Sequence, residues 1–371
     1  MNILITGASG FIGSFLCEES LRRQYTVWAG MREKSSRKWL QNEWLHFITL
    51  DMTDTDTLHH QLASFKENNG KWDVIVHAGG ATKCLNIEDF DKNNFICTRN
   101  LVETLFSLDM LPSQFLYVSS LSVLGAIREQ MVETHTVTIP QGIATDAEFI
   151  SRYTIQQSVY EPMVDTDTPC PNTAYGASKL KSEEYLKNRQ SELLTQGIDF
   201  NFTIFRPTGV YGPREKDYYL MAKSINNHYD FAVGYKPQEI TFVYVQDLVD
   251  AILSAIGNPN AKGKSYAVSD GFVYNSRTFS DLIQRELDRH AVFHIKAPLL
   301  ILKMICHLGE WFSQLTGKLI TLNKDKYNIL AQRNWQCDIS SIQHDLGFIP
   351  QWNLERGVKA SIKWYKENKW L

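Results

Sequence analysis

The first thirteen residues limit the possible folds more than any other feature of this 371-residue chain. Ile3-Leu4-Ile5-Thr6 is a short apolar run. Gly7-Ala8-Ser9-Gly10-Phe11-Ile12-Gly13 follows it directly and leads into an amphipathic stretch. A strand, glycines spaced GxxGxxG and then a helix make a recognisable anion-binding turn. Gly7 permits the tight turn, Gly10 lets the backbone approach a pyrophosphate, and Gly13 lets the helix pack on the sheet. The helix N-terminus adds free N–H groups and a partial positive charge. Ser9, Phe11 and Ile12 complete the turn and join the three glycines as candidate cofactor contacts.

Downstream, strand candidates at 2–6, 25–30, 46–50, 73–77, 115–119 and 202–206 alternate with helix candidates at 11–23, 55–66, 89–108 and 174–195. Such alternation calls for a parallel sheet covered on both faces. The right-handed crossover rule makes it doubly wound, an α/β Rossmann architecture. Residues 1–206 are expected to form this dinucleotide-binding domain, with an inserted excursion at about 133–162. Residues 207–371 are expected to form a smaller, interleaved α/β substrate-binding domain, from which about 239–256 returns to the first; a further return segment lies near 264–270. The site is expected between the domains, beyond the carboxyl ends of the strands.

Composition narrows the function classes. Apolar residues are 43% and charged residues 21%, ordinary for a globular chain, and a net charge of −3 gives no reason to expect nucleic acid. Cys17, Cys84, Cys97, Cys170, Cys306 and Cys337 show no CxxC or Cys/His metal spacing, so reduced thiols and no metal are expected. The apolar run begins at Ile3, so no secretory leader is expected. The most apolar stretch, 298–315, is interrupted by Lys303, His307 and Glu310 and is too short to span a bilayer. A cytoplasmic protein is expected, with a small-molecule substrate, a homodimeric assembly and at most weak membrane-surface contact through 298–315.

The end of the second strand selects the cofactor. A carboxylate there suits a ribose 2′-hydroxyl, whereas an arginine suits a 2′-phosphate. Arg32 occupies that place, with Ser35, Ser36 and Arg37 behind it, so NADP is expected and NAD is the alternative. Tyr175 and Lys179 in Tyr175-Gly176-Ala177-Ser178-Lys179 share one helix face. An ammonium near a phenol lowers its pKa, so the phenol can exchange a proton with a substrate hydroxyl.

With these motifs the sequence resembles the extended short-chain dehydrogenase/reductase superfamily, the NAD-dependent epimerase/dehydratase group, over nearly its whole length. TGASGFIG at 6–13, Asp51-Met52, His77-Ala78-Gly79-Gly80, Asn94/Thr98/Asn100 of an NxxGTxN motif (Cys97 replacing its glycine), Ser119-Ser120 through Gly125, Arg206 through Pro213 and the tail from Leu346 to Gly357 carry the resemblance. It implies Ser120 as the third catalytic residue beside Tyr175 and Lys179. It also implies cofactor contacts at Asp51, Met52, His77, Ala78, Gly79, Lys179, Pro207, Gly209 and Val210. Thr82, Ser122, Tyr211 and Tyr244 are the expected substrate contacts.

Departures from the family pattern refine the expectation. Ser120-Leu121-Ser122 stands where sugar-nucleotide dehydratases have Thr-Asp-Glu, which disfavours water elimination. Ile240 stands where nucleotide-sugar epimerases resembling this segment carry a pyrophosphate-binding arginine. Losing that contact would cost on the order of 2–3 kcal/mol unless Arg214, Lys223, Lys324, Lys326 or Arg333 replaces it. The Phe242-Val243-Tyr244-Val245 form resembles the 3β-hydroxysteroid/sterol dehydrogenase branch, and Arg32 is similar to dihydroflavonol reductases. The leading expectation is therefore an NADP(H)-linked dehydrogenase or reductase of a secondary alcohol or ketone. A UDP-sugar 4-epimerase is the alternative, and a non-catalytic NAD(P) sensor the second. Phe149, Ile150, Tyr153, Ile155 and Tyr160 give the insertion a lid-like apolar content.

Overall fold

The computed structural model describes residues 1–130, 133–137, 155–236, 238–317 and 323–371. Seven strands form the central sheet: β1 Asn2–Thr6, β2 Thr26–Met31, β3 His46–Thr49, β4 Val74–His77, β5 Gln114–Val118, β6 Phe202–Pro207 and β7 Ser265–Val268. Their order is β7-β6-β5-β4-β1-β2-β3, and every pairing is parallel. Because side chains alternate across a strand, each contributes to two cores. Ile3, Ile5, Val74, Val76, Leu116 and Val118 face one cluster, while Leu4, Ile75, Phe115 and Tyr117 face the other. The strands therefore read as continuous apolar runs, as a sheet buried on both faces requires.

The first cluster is covered by α1 (Phe11–Arg22) and by a helix from late in the chain. The second is covered by α2 (Thr55–Asn69), α3 (Cys97–Ser107) and α4 (Ala174–Thr195). That late helix, α5 (Val245–Ser254), packs against α1 through Leu248, Val249 and Ile252. The further return segment expected near 264–270 supplies the edge strand β7 beside β6.

A third core lies outside the sheet and joins Tyr211, Phe242, Tyr244, Tyr274, Phe279, Leu354, Val358 and Tyr365. Among the helices of this half of the chain are α6 (Leu299–Thr316), α7 (Lys324–Ala331) and α8 (Leu354–Glu367). Within the insertion, Glu133–Val137 and Ile155–Val159 pair antiparallel, and Tyr160 is buried. Phe149, Ile150 and Tyr153 lie outside the described residues, and the side chain of Ile155 is likewise not described.

Candidate active site

The strand order reverses between β1 and β4, since the chain runs outward through β2 and β3 before returning to β4. The loops leaving β1 and β4 diverge there and open a crevice at their carboxyl ends. Gly7 adopts φ +68°, and a Cβ on Gly13 would sit 2.2 Å from the Gly7 carbonyl oxygen. Only glycine lets α1 pack this close to the turn. Gly10 caps α1 in extended backbone with no side-chain hydrogen bond, and the first turn holds no acid. The leading N–H groups of α1, between Ser9, Phe11 and Ile12, are thus left for an anionic ligand, and these residues fit a dinucleotide pyrophosphate.

The opposite wall is the loop Ala78–Gly80, held by a chain of hydrogen bonds. The Thr6 hydroxyl and His77 Nδ1 are 2.6 Å apart, His77 Nε2 and the Thr98 hydroxyl 3.0 Å, and Thr98 donates to the Asn94 carbonyl at 2.7 Å. Since the Thr98 proton is committed to Asn94, His77 Nε2 carries a hydrogen and Nδ1 accepts from Thr6. His77 is wholly buried, and burial, with Lys179 adding to it, pushes its pKa down to about 3. It is a neutral strut behind the crevice rather than a side chain in it.

At the far end of β2, Arg32 is exposed. Burial, then Asp51, pushes the Cys97 thiol at the start of α3 up to about 11, while the charges of Arg32 and Lys92 oppose. Arg37 instead lies 4.0 Å over the Phe47 ring, and the Ser36 hydroxyl accepts from Lys38 N–H. Asp51 accepts from the Thr53 backbone and hydroxyl, and Asn100 donates to the Met52 carbonyl. Pro207, the last residue of β6, is buried, and Gly209 and Val210 are half-buried on a short strand paired with Phe242–Tyr244.

The three residues expected to be catalytic come together at the end of β5. Ser120 caps the turn Leu121–Val123, and its Oγ accepts from Ser122 N–H at 3.2 Å and from Ser122 Oγ at 2.9 Å. α4 starts beside this turn. Thr173 caps it by accepting from Gly176 N–H at 2.9 Å, and a Cβ on Gly176 would sit 2.5 Å from the Ser122 carbonyl oxygen. That close approach puts the Tyr175 phenol within hydrogen-bonding reach of Ser120. Burial pushes this phenol up to about 12, and the Ser120 hydrogen bond pulls the other way. Lys179, on the same face of α4, donates from Nζ to the Val118 carbonyl at 2.9 Å. Burial pushes it down to about 8 against the attraction of Glu183.

Several positioning residues carry little sequence signal. Asn94 stands on a π-helical turn, Asp91–Ile96, where its amide bonds both polar groups of Ala81 and the Ser178 hydroxyl. It ties the β4 loop to α4; the NxxGTxN spacing was its only trace. Asp325 of α7 accepts from Tyr175 N–H at 3.1 Å, and Lys83 and Lys326 meet Asp217 at 2.5 and 3.5 Å. Thr82 is exposed on the loop just before Lys83. Tyr211 and Tyr244, expected at the substrate, are buried in the third core instead. Tyr211 donates to the Asn353 carbonyl, and Tyr244 stacks on Trp352 at 4.3 Å. Among the described residues no group of three His, Cys, Asp or Glu is placed to hold a metal ion.

A family model described as the NAD dependent epimerase/dehydratase family matches residues 3–269. The UDP-glucose 4-epimerase of Vibrio cholerae is 22% identical over 98% of this chain and 94% of its own length. A decarboxylating sterol-4-alpha-carboxylate 3-dehydrogenase of Candida albicans is 21% identical over 99% of this chain and 98% of its own. The crystal structure of a UDP-glucuronic acid 4-epimerase from Bacillus cereus in complex with NAD shares the fold, with a TM-score of 0.69 at 18% identity over 99% of each chain.

Proposed function

The chain belongs to the NAD dependent epimerase/dehydratase family, and from that premise we propose that it acts at a secondary alcohol carbon, epimerising a nucleotide sugar. The convergence of Ser120, Tyr175 and Lys179 beside the glycine-lined crevice carries this reading. A bound nicotinamide supplies a hydride acceptor and donor. The protein's part is proton handling. With its pKa raised to about 12, Tyr175 is a phenol near neutral pH, suited to donate to a carbonyl oxygen. To accept a proton from a hydroxyl it must become a phenolate, which the Ser120 hydrogen bond and the charge of Lys179 favour. Ser120 Oγ already accepts from two Ser122 donors, so its own proton is directed outward, to Tyr175 or to the substrate oxygen.

The epimerase reading is supported by the relatives and by the two lysines on Asp217. Lys326 follows Asp325, which holds the start of α4, and with Lys83 it exceeds the single charge of Asp217. They offer a pyrophosphate the cations that Ile240 lacks. The cofactor proposed is NAD, with NADP binding depending on Arg32. A second reading, a net dehydrogenase or reductase of a less polar alcohol, is favoured by Ile240, which is half-buried between Tyr274 and Trp335 on its neighbouring strands.

Incubating the protein with NAD and a panel of UDP- and dTDP-hexoses tests these readings. Expected is interconversion of epimers without accumulation of NADH, with Tyr175→Phe retaining less than about a tenth of the rate. Net NADH formation from a steroid or other apolar alcohol, with sugars untouched, would replace the first reading by the second. A Tyr175→Phe protein of undiminished rate would remove Tyr175 from the mechanism.

A further inference from the structure

α6 carries a surface that the reaction does not use. It rests on the protein through Leu302 and Cys306, both buried, and turns its other side outward. Leu300, Ile301, Met304, Leu308, Trp311 and Phe312 fall within an arc of roughly 120° on a helix of this period, and each is 49% to 72% exposed. The apolar surface continues beyond the helix. Strands Tyr229–Val233 and Phe293–Ala297 pair in parallel, with Tyr229 opposite Phe293 and Phe231 opposite Ile295. Cross-strand partners share a face, and these four side chains are also exposed. Pro298 alone separates the second strand from α6, and Gly234 lies against Leu299. Globular monomers rarely leave so continuous an apolar face open to water.

The charges around this face choose its partner. From 291 to the end of α6 at 316 the only acid is Glu310, which is half-buried, while Lys296, Lys303 and His307 are exposed. From 229 to 236 the only acid is Asp230, which is buried and paired with Arg277 and His294, and Lys236 is exposed. An apolar face bearing tryptophan and phenylalanine, with lysines and no exposed acid along these segments, matches the boundary between headgroups and acyl chains in an anionic bilayer. A second copy docking face to face would set these cations against their equals. Among the described residues no helix is long and apolar enough to cross a membrane, so contact would be peripheral. We propose that α6 and the exposed face of the Tyr229–Val233 and Phe293–Ala297 pair form a docking surface for anionic membranes, independent of which substrate the site accepts.

Flotation of the full chain with phosphatidylcholine vesicles, with and without phosphatidylglycerol, at low and high salt, tests the proposal. Expected is binding that requires phosphatidylglycerol, weakens in high salt, and falls about tenfold or more in a Leu308→Ser/Trp311→Ser variant. A Lys296→Glu/Lys303→Glu variant should lose the preference for phosphatidylglycerol. All four positions are exposed, and unchanged thermal unfolding would show that the variants fold. Failure to float with either vesicle, or equal flotation of the Leu308→Ser/Trp311→Ser variant, would overturn the proposal. Self-association that this variant abolishes, with vesicles left unbound, would give the face to a second copy.

Discussion

Arg32 is the residue on which we propose that cofactor choice turns. It is exposed at the end of β2, while Arg37, the other arginine of that loop, is drawn onto the Phe47 ring. One guanidinium therefore remains there to read a 2′-phosphate, and a charge-assisted contact of this kind contributes roughly 1.5–3 kcal/mol. Arg32→Ala should weaken NADP binding by at least about tenfold and leave NAD within about twofold. Titration of both cofactors against intrinsic fluorescence measures this, and an NADP affinity indifferent to the change would show that Arg32 does not face the ribose. Arg32 itself was legible from its position after a strand. The diversion of Arg37 was not, because it depends on Phe47, ten residues further on, being brought alongside in β3.

Among the elements, α4 decides the geometry of the site. Its sequence announces Tyr175 and Lys179 on one face, but three contacts set where that face points. Gly176 admits the Ser122 carbonyl, Asp325 accepts from Tyr175 N–H, and Glu183 pairs with Arg206 of β6 at 2.6 Å. The pair is fully buried, and Ser119 also donates to Glu183 at 2.6 Å. Removing one member of such a pair leaves a buried charge uncompensated, which costs about 3–5 kcal/mol. Glu183→Gln should therefore destabilise the protein by about 3 kcal/mol, a loss that urea unfolding would register. A stability change below about 1 kcal/mol would mean that water reaches Arg206 and the pair does not lock α4 to the sheet. Neither Glu183 nor Asp325 stood out in the sequence. One is an ordinary helix acid, and the other comes from 150 positions beyond Tyr175.

For the whole molecule, burying Lys179 beside the crevice sets function against stability. Burial lowers its pKa from 10.5 to about 8. Below about pH 8 the lysine is charged in both folded and unfolded chains, and its burial penalty is full. Between about 8 and 10.5 the unfolded chain holds a proton that the folded one has released, so stability rises with pH. Compared with Lys179→Met, in which other groups cancel, the wild type should gain about 1–2 kcal/mol of unfolding free energy from pH 7.5 to 9.5. A difference independent of pH would place the Lys179 pKa near its ordinary value. By itself the sequence determined the Rossmann sheet, its glycine turn and the Tyr175/Lys179 pair, because these rest on local periodicity and on spacings within one element. Only the tertiary structure decided that Tyr211 and Tyr244 serve a core, and that His77 is a neutral strut. It also decided that one side of α6 faces outward. Each of these depends on which distant segment packs against the residue, and the pattern of a single stretch of chain does not carry that information.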